Sequence, residues 1–177
     1  VELQALVMAT NMTIGMAALM AVRRGGCDVP PRRGDLQRAF PDATGDLVVF
    51  LHGLAESETY WNLDRHETGA SYGEALRSGS TWTPLYLRAN TGLPIAENGI
   101  ILASLLDRLV TEWPTEVRRI ALVGHSMGGL IMRAACAVNL ATETPWHHLV
   151  TDVVTLGSPH LGAPIARGLH LGSALLG

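Results

Sequence analysis

The stretch Ile120-Ala121-Leu122-Val123-Gly124-His125-Ser126-Met127-Gly128-Gly129-Leu130 constrains the fold more than any other part of the chain. Four apolar residues run into Gly-x-Ser-x-Gly, and Leu130-Ile131-Met132 follow without a break. That order reads as a buried strand, a very tight turn and the start of a helix, with one hydroxyl at the apex. Ser126 is expected in a strained backbone conformation, so the positions two before and two after it must be nearly free of side chain; Gly124 and Gly128 meet that need. The helix opening at Met127 turns its unpaired N–H groups and positive dipole end toward any charge that develops beside Ser126. With Ser126 exposed at the turn, the ring of His125 is expected to point elsewhere. A glycine-rich turn without chemistry is the competing reading, and the apolar strand and helix on either side argue against it.

The remaining chain alternates strand and helix signals. Leu47 to Leu51 is a continuous apolar run that breaks at His52-Gly53, and Pro84 to Arg88 is a second strand ending at Asn90-Thr91-Gly92. Between 95 and 113, apolar residues at 101, 102, 105, 106, 109 and 110 make one broad helical stripe, which Pro114 stops. The helix after Ser126 fades near Asn139, and Leu149 to Leu156 is a further strand running into Gly157-Ser158-Pro159-His160. This order predicts an α/β fold: a mostly parallel, doubly wound sheet with right-handed crossovers. Parallel strands end at one edge, and ligands bind there. His52-Gly53-Leu54, Asn90-Thr91, Ser126 and Ser158-Pro159-His160 each follow a strand, so they should face one crevice. Residues 55 to 80 carry no specific signal; they fit a wall of the crevice or a surface loop leading to a short helix at 72–77.

Residues 1–45 are read as a separate N-terminal part, with residues 46–177 as the main α/β region. The first 22 residues are apolar but carry Glu2, Gln4, Thr10, Asn11 and Thr13 around the helix, and Gly15. They are read as a helix packed on the body, with an interfacial membrane anchor as the alternative. Residues 23–45, with two Arg pairs, Pro30-Pro31 and several glycines, are read as a connector without elements.

A net charge of −3 gives no electrostatic case for nucleic acid or an anionic membrane surface. Cys27 and Cys136 are too few and too far apart for a disulfide framework. They permit a reducing cytoplasm, the compartment expected, with membrane-associated and secreted forms as alternatives; Cys136 is expected in the core. The seven histidines show no zinc spacing, so no metal is expected. His147 and His148, as neighbours on a strand or its approach, should point to opposite faces. His160 is placed near the crevice by topology. Asp107 lies on the covering helix and Asp152 within a strand, neither placed to orient a base.

Gly-His-Ser-Met-Gly-Gly at 124–129, with Leu51-His52-Gly53-Leu54 upstream and Gly157-Ser158-Pro159-His160-Leu161-Gly162-Ala163-Pro164 downstream, resembles the lipase/esterase branch of the α/β-hydrolase superfamily. The third motif is also similar to one in the inositol-deacylase-like lipases. The resemblance covers residues about 46 to 165. It implies a serine nucleophile at Ser126, an acyl-enzyme intermediate, and an oxyanion hole made by the backbone N–H groups of Leu54 and Met127. His52 and Gly53 would shape the loop, Gly124, His125 and Gly128 would support the turn, and Ser158 and His160 would be wall or supporting groups. Small-molecule ester or lipid-like substrates are implied, and no cofactor. Acyltransferase or thioesterase chemistry on the same residues, or a non-catalytic scaffold, are the alternatives.

In such enzymes the acid and the catalytic histidine follow the nucleophile along the chain. They are expected beyond Gly177, which makes these 177 residues, short for a domain that commonly needs ~200–250, the N-terminal portion of a longer hydrolase. Without a base a serine hydroxyl is a weak nucleophile, and this portion alone is expected to be nearly inactive.

Overall fold

The computed structural model describes residues 20–63, 65–138 and 145–162. Among these residues six strands form one sheet: β1 (Met20–Arg24), β2 (Cys27–Val29), β3 (Asp46–Leu51), β4 (Trp82–Ala89), β5 (Arg119–His125) and β6 (Val150–Leu156). Their order across the sheet is β2-β1-β4-β3-β5-β6. β4, β3, β5 and β6 run parallel, whereas β1 is antiparallel to both β2 and β4. The helices are α1 (Arg33–Ala39), α2 (Arg65–Thr68), α3 (Tyr72–Ser78), α4 (Ile95–Glu112) and α5 (Met127–Cys136), with short 3-10 helices at Glu58–Asn62 and Trp146–Leu149.

β3 is buried at all six positions, as a central parallel strand covered on both faces must be. Strand pleating divides its residues between two cores. Leu47, Val49 and Leu51 join Leu85, Leu87 and Leu122 beneath Leu102, Leu105, Leu106 and Leu109 of α4 and Ile131 and Met132 of α5. Gly99 lets the two helices approach closely, since a Cβ there would stand 2.6 Å from that of Ala134. On the other face, Val48, Phe50 and Ala121 meet Trp61. The Trp61 ring is fully buried and lies 4.9 Å from Phe50. Arg23 of β1 fastens that segment from outside, its guanidinium 2.7 Å from Glu58.

Residues 55–80 therefore include a core plug, which a reading as surface loop or crevice wall did not contain. A single tryptophan on a 3-10 turn leaves no periodicity to detect.

Two N-terminal expectations are corrected. Met20–Val22 are strand rather than helix, and residues 1–19 lie outside the described residues. The supposed connector holds the end of β1, all of β2 and α1, and β1 pairs with β2 and β4, so both strands are part of the same sheet. A short apolar run cannot be assigned to helix or strand by periodicity alone. Gly25 and Gly26, at φ +57° and +79°, form the two-residue turn that pairs Arg24 with Cys27 and Val22 with Val29. Gly-Gly between two short extended segments is a hairpin signal.

Among the described residues β6 is the last strand on its side of the sheet, with Val153 and Val154 52% and 45% exposed. Cys136 is exposed at the end of α5, not in the core. Among the described residues no helix is long and apolar enough to cross a membrane.

Candidate active site

The apex between β5 and α5 has the geometry its glycines require. Ser126 stands at φ +50°, ψ −117°, a region that non-glycine residues adopt only under strain, at a cost of roughly 1–3 kcal/mol. Its N–H donates to the Leu156 carbonyl at 2.8 Å, and its own carbonyl accepts from Gly129 at 3.2 Å. A Cβ on Gly124 would fall 2.6 Å from the Gly129 nitrogen, and one on Gly128 would run into the carbonyl oxygens of Leu51 and His52. Gly129 is crowded by side chains rather than backbone, since a Cβ there would meet Ser158 Oγ and stand 3.0 Å from Ser158 Cβ and the Thr155 methyl. Ser126 is partly exposed, and its Oγ makes no hydrogen bond among the described residues.

The loop after β3 reaches this apex. A Cβ built on Gly53 would lie 3.1 Å from Ser126 Cβ, so the two backbones are in contact without a side chain between them. His52 is fully buried; its Nε2 accepts from the Ala89 N–H at 3.1 Å. The ring proton therefore sits on Nδ1, which is 2.9 Å from the Gly53 carbonyl and donates to it. One imidazole thus ties the end of β4 to the loop after β3.

Four consecutive amides follow. Gly53 donates to Glu56 Oε2 at 2.7 Å, Ala55 to Thr91 Oγ1 at 3.2 Å, and Glu56 to the Gly53 carbonyl at 3.4 Å. The Leu54 N–H has no partner among the described residues, and the Leu54 side chain is 63% exposed. Met127 opens α5, where the first N–H groups of a helix have no partner within it.

His125 turns away from the apex, as expected at a position preceding an exposed residue. Its Nδ1 is 3.0 Å from Glu56 Oε2, and the Tyr60 ring lies flat over it, centroids 4.1 Å apart. Ala55, Glu56, Ser57, Thr59 and Tyr60 line an adjoining groove of about 310 Å³. Glu56 and Tyr60 were not identified from the sequence as site residues, because their contacts with His125 span tens of residues and leave no local pattern; Thr91, expected to face the crevice, holds the loop through the Ala55 N–H.

After β6, Ser158 Oγ is buried beside Gly129 with no partner among the described residues. His160 is exposed, its Nε2 3.3 Å from Thr155 Oγ1. Ala163 and Pro164 lie outside the described residues. His147 and His148 sit on a 3-10 turn leading into β6, at the opposite edge of the sheet. Their rings lie 4.5 Å apart rather than on opposite faces, because a 3-10 turn does not alternate side chains as a strand does. Among the described residues no group of three His, Cys, Asp or Glu could hold a metal ion.

The sheet order and the strand–turn–helix apex together give the α/β-hydrolase fold. The family model described as a PGAP1-like alpha/beta domain matches residues 97–173, from α4 through the segment after β6. Among solved structures, the chain is similar to the Bacillus licheniformis lipase BlEst2 in its mature form, with 26% identity and a TM-score of 0.53. That likeness covers 71% of this chain and 45% of the lipase, so the chain spans less than half of the lipase's length. No curated protein matches. The chain has the α/β-hydrolase fold and is related to its lipase/esterase branch.

Proposed function

We propose that this protein is a serine hydrolase that cleaves carboxylic esters, small or lipid-like, through an acyl-enzyme. Ser126 Oγ attacks the ester carbonyl, and the tetrahedral oxyanion is held by the N–H groups of Leu54 and Met127. A histidine oriented by a carboxylate, both from outside the described residues, moves the proton from Ser126 to the leaving alcohol. Water then repeats the attack to release the acid.

The observation carrying this reading is a strained Ser126 whose hydroxyl is unpaired among the described residues, next to a loop in which, among the same residues, the Leu54 amide has no partner. Strain persists where the surroundings over-determine it, and such sites cluster at catalytic centres. Preorganised amides stabilise a developing oxyanion more than a ground-state carbonyl, which is how they lower a barrier.

The test is hydrolysis of a short-acyl p-nitrophenyl ester by the intact protein and by Ser126→Ala. Turnover is expected from the first and none above background from the second; equal rates would remove the nucleophile assignment and favour a non-catalytic scaffold. Adding an alcohol or thiol acceptor and analysing the products separates hydrolysis from acyl transfer.

A further inference from the structure

A single oxygen atom joins the loop after β3 to the elbow. Glu56 Oε2 accepts the Gly53 N–H at 2.7 Å and stands 3.0 Å from His125 Nδ1, one residue before the strained serine. A Cβ on Gly53 would lie 3.0 Å from both of those side-chain atoms, so the carboxylate, the imidazole and the loop backbone form one closed contact. Tyr60, further along the same segment, covers the imidazole face at 4.1 Å with an interplanar angle of 13°. Charge-assisted hydrogen bonds of this kind are stronger than neutral ones, and here two converge on one acceptor.

We propose that Glu56 is a positioning residue: its carboxylate, anchored on His125, clamps the loop to the elbow and leaves the Leu54 amide as the loop's donor to the oxyanion. This rests on the reading of Ser126 as nucleophile. The clamp has two effects. It occupies the Gly53 N–H, which would otherwise compete with that of Leu54 for the developing charge. It also fixes the loop relative to Ser126, where Thr91 and His52 hold it only from the β4 side. His125 acts as an anchor and not as the base, because no hydrogen bond links its ring to Ser126 Oγ.

The test is the second-order rate of Ser126 labelling by a fluorophosphonate probe, in the intact protein and in Glu56→Ala, Glu56→Gln, His125→Ala and His125→Asn, with the Gly53 amide followed by 1H–15N NMR. Glu56→Ala and His125→Ala should label about 10- to 100-fold more slowly, less than the ~10²–10³-fold cost of deleting an oxyanion donor. Glu56→Gln keeps an acceptor oxygen and His125→Asn keeps a donor near Nδ1, so both should recover to within about 5-fold of the unaltered protein. The Gly53 amide resonance should move in Glu56→Ala and stay near its position in Glu56→Gln. His125→Ala breaks the clamp from its other side, so the proposal remains falsifiable should Glu56→Ala not fold.

Unchanged labelling in both alanine variants overturns the clamp while leaving the nucleophile in place. A loss beyond ~10³-fold in Glu56→Gln also overturns it, because that is the signature of a carboxylate orienting a catalytic base. Absence of labelling in the unaltered protein removes the nucleophile reading and this role together.

Discussion

The two ends of the parallel strands are built on opposite terms. At the end where β3 begins, the Asp46 carboxylate is buried and receives Arg118 at 3.0 and 3.2 Å, Arg119 at 3.0 Å, and the Thr81 hydroxyl. Beside it, the indole of Trp113 donates to the Thr44 carbonyl at 2.8 Å. At the other end a serine is held at φ +50°, and among the described residues the Leu54 amide is unpaired and Ser158 Oγ is buried without a partner. The same strands carry both ends. Where polar groups are matched, the strands gain stability; where they are left unmatched and strained, the fold departs from local consistency, as functional sites do.

The sharpest way to separate the ends is Ser126→Ala, which should lower ester turnover by about 10⁶-fold while leaving the thermal midpoint nearly unchanged. Gly128→Ala comes next. Its Cβ meets backbone oxygens of Leu51 and His52, which cannot rotate away, so a loss of about 3 kcal/mol in chemical denaturation is expected.

Asp46→Asn tests the matched end. Arg119 first, then Thr81 and Arg118, hold the Asp46 carboxyl down to about 2, from an ordinary value of 3.8. A folded-state value below the unfolded one gives stability that is fully present above pH 3.8 and is lost as pH falls toward 2. The arginines are largely exposed, which trims the effect to about 1–2 kcal/mol at neutral pH. Denaturation midpoints of Asp46→Asn should therefore lie below those of the unaltered protein at pH 7 and converge with them near pH 2, with ester hydrolysis at pH 7 unaffected. The smallest effect is Ser126→Gly, expected to be about 1 kcal/mol more stable than Ser126→Ala, since glycine adopts that backbone conformation without strain. A glycine variant no more stable than the alanine one would mean that the apex stores no strain.

Much of this architecture could be read from residue order. The apolar runs of β3, β5 and β6, the stripe of α4 and the glycines around Ser126 each follow from a local rule, and parallel topology then gathers the motifs at one edge. What escaped depends on distance along the chain. Glu56 and His125 are 69 positions apart, and nothing in either neighbourhood announces the other. Trp61 plugs a core from a turn whose surroundings look polar. The Gly25-Gly26 hairpin was legible but was absorbed into a stretch that proline and arginine pairs marked as connector.

The amide of Ser126 is carried by the carbonyl of Leu156, the final residue of β6. Among the described residues that strand is the outermost of the sheet. Any shift of β6 against β5 is therefore passed to the bend at the apex, much as moving a guy rope makes a tent pole lean. The seating of β6 and the set of the bend at Ser126 are thus mechanically one property.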